Sequence, residues 1–128
     1  MLRTLGVVAA LVLLGHGLIH LVGAAVYAGH VQLSGLPYKT TLLGGRWGVG
    51  EIGMAIFGAL WLLPAAGFVT AAIELLMTGA VSMPLLFGST AVSLALISLD
   101  WSSAFAGGIV DVAILAALMV ASRADALL

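Results

Sequence analysis

Charge is almost missing from this chain, and that scarcity limits its folding more than any motif does. Only 7% of the 128 residues are Asp, Glu, Lys or Arg, and 63% are hydrophobic; a water-soluble domain of this size carries about a quarter charged residues. With a mean hydropathy of +1.30, the chain cannot build a surface that faces water on all sides. A bilayer removes that requirement, because lipid covers the outside of the fold. Inside lipid every backbone N–H and C=O needs an internal partner, which leaves helices or a closed barrel. The apolar runs are continuous over about 20 residues instead of alternating over about 10, and this selects helices.

The expectation is therefore an all-α integral membrane bundle, one domain over residues 1–128, with four transmembrane helices at about 4–28, 46–64, 68–86 and 102–122. The first apolar stretch is too long for a signal peptide and is kept in the fold. Gly35, Pro37 and the Gly44-Gly45 pair mark a loop after it, and Pro64-Ala65-Ala66-Gly67 reads as a tight turn between the second and third helices. Residues 89–101 are ambiguous: a strand, a re-entrant piece, a half helix, or the start of one long kinked fourth helix. Four spans place both termini on one side. Arg3 and Arg123 favour the cytoplasm of a bacterial-type plasma membrane, while Lys39 and Arg46 pull the other way. Small-xxx-small spacings such as Ala55-xxx-Ala59 and Ala104-xxx-Gly108 suit close helix contact or an oligomer interface.

A net charge of −1 offers no basic footprint for nucleic acid, and the absence of cysteine removes thiolate and dithiol chemistry. The informative residues are those that cost free energy to bury: His16, His20, Glu51, Glu74 and Asp111. An Asp at a helix centre is disfavoured by roughly 2.5 to 3.5 kcal/mol, so an intramembrane acid marks a functional site by default. At a rise of about 1.5 Å per residue, His16, His20, Glu51 and Asp111 fall near one level in the outer half of the bundle; Glu74 lies lower. His16, His20, Gly23, Tyr27 and His30 form one stripe on the first helix. Trp47, Glu51, Met54, Gly58 and Trp61 form another on the second, and Ala104, Gly108 and Asp111 align on the last. His30 and Asp100 read as interfacial and solvated.

The catalytic candidates are thus His16, His20, Glu51 and Asp111, with Tyr27, Trp47, Met54, Glu74 and Trp101 as ligand-binding candidates. Three readings of that set stay open: ion pairs that fix helix register, a catalytic or ligand site, and a metal site built from two histidines and two acids. No cofactor is required by these residues, with a quinone or a metal ion as the alternatives.

The stretch ending Gly15-His16-Gly17-Leu18-Ile19-His20, and the run from Gly48 through Glu51 and Gly53 to Leu63, resemble DoxX-like membrane proteins. The resemblance implies a four-helix bundle and, for some members, a membrane subunit of a thiosulfate:quinone oxidoreductase. The Lys that usually follows the first-helix motif is replaced here by Ile19-His20. The leading functional expectation is a site that binds or converts a small hydrophobic molecule from the bilayer, a quinone, isoprenoid or lipid-like compound. A His would shuttle protons and Glu51 or Asp111 would act as general acid or base, as an isomerase or hydrolase requires. The alternatives are a non-catalytic assembly subunit, bound to a second copy or a membrane partner, and a small proton-coupled transporter.

Overall fold

The computed structural model describes residues 1–127 and is an all-α bundle. Helix α1 spans Leu2–Tyr27. It ends because Gly29 takes φ 79°, which lets the Gly29 and His30 amides bond the Val26 and Ala25 carbonyls. This left-handed stop satisfies carbonyls that would otherwise be orphaned in an apolar setting. The following loop carries a minimal hairpin, β1 (Thr41–Leu42) paired antiparallel with β2 (Trp47–Gly48).

Helices α2 (Gly50–Leu60) and α3 (Leu62–Thr78) are joined only by Trp61, whose φ and ψ of −65° and −18° stay helical. They form one bent span, Gly50–Thr78. The expected turn at Pro64 to Gly67 is therefore corrected: Pro64 is the third residue of α3. A proline in the first turn has no N–H to lose from the helix ladder, and it bends the span instead of ending it. Helix α4 occupies Met83–Leu99, so the ambiguous residues 89–99 are helical. Ser82 caps it, accepting from the Leu85 amide, while the Ser82 amide donates to the Glu74 carboxylate. Only Asp100 separates α4 from α5, Trp101–Leu127. Three spans, Arg3–Tyr27, Gly50–Thr78 and Trp101–Ala121, are long and apolar enough to cross a membrane, and α4 is a shorter apolar helix.

The close neighbours are α1 with α2 and α3, α3 with α4, and α4 with α5. Small residues set these distances. A Cβ on Gly17 would lie 3.1 Å from the Ala65 carbonyl oxygen, and one on Gly58 would lie 3.1 Å from that of Ala24. At Gly67 it would fall 1.8 Å from Ser89 Oγ and 2.8 Å from Ser89 Cβ. Backbones can approach this closely only without a side chain, which is how helices gain dispersion energy in lipid. One core cluster gathers Tyr27, Met54, Phe57, Trp61 and Ile97; the other gathers Ala10, Leu13, Phe68, Leu86 and Ile114. Between them lies the polar layer.

Candidate functional site

Four side chains from three helices meet in that layer. His16 and His20 are one turn apart on α1, Asp111 comes from α5 and Ser93 from α4. All four are buried, with Asp111 and Ser93 at 0% exposure. His16 Nε2 lies 2.8 Å from Asp111 Oδ1, and Ser93 Oγ lies 2.5 Å from Asp111 Oδ2 and 2.8 Å from His20 Nε2. His20 Nδ1 donates to the His16 carbonyl at 2.8 Å. That last bond fixes the tautomer, since a carbonyl can only accept. Phe68 packs on His16 with ring centroids 4.7 Å apart, and Trp61 lies 5.1 Å from His20. Aromatic rings thus hold both imidazoles in place.

A cavity of about 230 Å³ adjoins this tetrad. His16, His20, Tyr27 and Trp61 give it a polar and aromatic side, and Ile19, Ile97 and Val110 an apolar one. Its walls come mostly from α1 and α5, two helices that are not close-packed neighbours. Exposed Ile19 and Ala106 stand on its rim, so the opening faces sideways, where lipid would be. Leu36, from the loop after α1, covers another side.

A second polar cluster sits at one end of the cavity. Tyr27 OH and Lys39 Nζ both donate to the Asp100 carboxylate, and Lys39 also donates to Ser103 Oγ at 2.9 Å. Tyr27 and Ser103 line the cavity, and Asp100 is 1% exposed. Asp100 is therefore not solvated as expected. A lone carboxylate buried there would cost several kcal/mol, and the loop lysine supplies the compensating charge.

Of the sequence candidates, His16, His20 and Asp111 come together, and Tyr27 lines the cavity they adjoin. Glu51 does not join them. It is exposed in the first turn of α2, where the helix dipole favours an anion. Glu74 is half-buried and bonds the Ser82 amide. Met54 is fully buried in the core beside Phe57, away from the cavity lining. Trp47 is half-exposed on β2, in a separate groove with Gly53 and Leu60. Trp101 is exposed beside Phe105 and does not line the cavity. With Glu51 elsewhere the four-ligand metal set does not form, and among the described residues no group of three or more His, Asp or Glu is arranged to hold a metal ion.

The sequence reading missed Ser93 and Lys39. Ser93 shares the buried face of α4 with Ser89, Thr90, Leu96 and Ile97, a face whose hydroxyls blur the apolar period that would have marked it. In comparisons with known proteins, the chain matches no family model, no curated protein and no solved structure. The fold and site therefore define a class only: a helical protein of membrane type with histidines and carboxylates in its interior.

Proposed function

We propose that the chain is a membrane-embedded acid/base site for an amphiphile that slides in from the bilayer between α1 and α5. The observation that carries this reading is the sideways-opening cavity lying against the His16, Asp111, Ser93 and His20 tetrad. Its size decides what enters. Ligand pockets that enclose a whole drug-sized molecule run to roughly 300–1,000 Å³, and this one, at about 230 Å³, holds a polar end group with a few carbons. The rest of the molecule stays in the lipid-facing cleft. His16 then acts on the end group as acid or base, with Asp111 holding its far nitrogen. In this reading both termini are cytoplasmic, with exposed Arg3 and Arg123 on that side and, on the other, Arg46 and a Lys39 neutralised by Asp100.

The test is mass spectrometry of lipophiles that copurify with the full chain in lipid nanodiscs, run beside Ala106→Trp, which plugs the rim without touching the tetrad. The expected result is a bound amphiphile in the wild type and its loss from the folded variant. If the wild type carries none, and Asp111→Ala unfolds it, the tetrad is a structural lock. An assembly role of the kind the DoxX-like resemblance implies would then be the better reading.

A further inference from the structure

The tetrad contains more hydrogen bonds than its ordinary protonation state can supply. Four contacts of 2.5 to 2.8 Å link His16 Nε2 to Asp111, Asp111 to Ser93, Ser93 to His20 Nε2, and His20 Nδ1 to the His16 carbonyl. At those distances two bare lone pairs would repel, so each contact needs a proton. Two neutral imidazoles, one serine hydroxyl and an ionised Asp111 bring three. A fourth is required.

We infer that the tetrad holds one shared extra proton and is electrically neutral, and that the cavity takes an amphiphile whose polar end is a hydroxyl, donated to His16 Nδ1. The substrate class rests on the binding reading above; the proton count does not. Two arrangements satisfy all four contacts. In one, Asp111 is a neutral acid donating from Oδ2 to Ser93, and the Ser93 hydroxyl donates to His20 Nε2. In the other, His20 is an imidazolium donating to Ser93, and Ser93 donates to an ionised Asp111. They interconvert when the Oδ2 proton passes to Ser93 Oγ as the serine's own proton passes to His20. No atom is gained and the net charge stays zero.

Neutrality is what an apolar interior demands, because an unpaired buried charge is costly. The other charged groups at the cavity, Lys39 and Asp100, compensate one another. In both neutral arrangements the His16 proton sits on Nε2, facing Asp111. That leaves Nδ1 as a bare lone pair on a residue that lines the cavity, with no partner among the described residues. Trp61, which lines the same cavity, has an indole N–H that is buried without a partner among the described residues. The acceptor the site offers is His16 Nδ1, and a hydroxyl is the smallest group that can donate to it.

The test is ¹⁵N NMR of histidine-labelled full chain in nanodiscs, with His30 and His20 assigned by substitution, beside infrared detection of Asp111 by comparison with Asp111→Asn. At neutral pH the expected result is a bare His16 Nδ1, together with either a protonated Asp111 carboxyl or a charged His20. Two neutral imidazoles with an ionised Asp111, or a protonated His16 Nδ1, would overturn the proton count. Dodecanol should then shift the His16 Nδ1 signal and bind roughly two- to tenfold more tightly than fluorododecane, the worth of one hydrogen bond. Equal responses to both would overturn the hydroxyl assignment while leaving a binding site. No response to either would overturn it together with the binding reading, and the proton count would still be judged by its own signals.

Discussion

At the scale of single residues, Ser93 and Asp111 have opposite tolerances. An asparagine at 111 can accept from His16 through its carbonyl and donate to Ser93 through its amide, copying the arrangement in which Asp111 is a neutral acid. Asp111→Asn should therefore keep thermal stability in detergent within about 1 kcal/mol of wild type while abolishing any acid/base turnover. Ser93→Ala should cost about 1–3 kcal/mol, because it leaves His20 Nε2 and Asp111 Oδ2 buried without their shared partner. A larger loss for Asp111→Asn than for Ser93→Ala would contradict the bonding pattern. Ser93 was hard to see in the sequence because hydroxyls in apolar helices commonly bond their own backbone, as Thr90 and Ser98 do here to Leu86 and Leu94. Nothing local separates such a serine from one that reaches another helix. The histidines and Asp111 were legible for the opposite reason, since no helix buries them in hydrocarbon without a partner.

Among elements, the seams between helices are set by missing side chains. Gly67→Ala would push a methyl into Ser89, whose Cβ is 2.8 Å from the new carbon. Overpacking of this kind costs about 1–3 kcal/mol, and the loss should appear as a lower unfolding midpoint. Gly88→Ala, inside α4 with nothing within 4 Å of a new Cβ, serves as the control and should be neutral or stabilising by a few tenths of a kcal/mol. The sequence disclosed α1 almost whole, because its length, its lack of charge and its His stripe agree. It misled at Pro64, where proline followed by two alanines and glycine has the composition of a turn and yet occupies the first turn of α3. It was mute at residues 89–99, since a 17-residue helix with hydroxyls on its buried face shows neither a full span nor a clean period.

For the molecule as a whole, the second polar cluster ties the break after α4 to the loop after α1. The chain breaks at Asp100 after the seventeen residues of α4, and the carboxylate buried at that break is met by Lys39 from the loop after α1. Lys39→Met should destabilise strongly, by up to about 3–5 kcal/mol, for an acid left buried and alone, discounted because the lysine side chain is 23% exposed. Adding Asp100→Asn to it should restore much of the loss, and a double-mutant cycle checks this. Glu51 shows the limit of reasoning from depth: the span sets Gly58 against Ala24 and Ala65 against Gly17, so Glu51, exposed in the first turn of α2, lies well beyond the level of the histidines. The bond from His16 to Asp111 joins positions 95 apart in the chain, so α1 is made well before its partner α5. During synthesis, His20 must wait for α4 and His16 for α5 before their side-chain partners arrive. A chain that stops before α5 thus leaves His16 without its acid and one flank of the bundle uncovered.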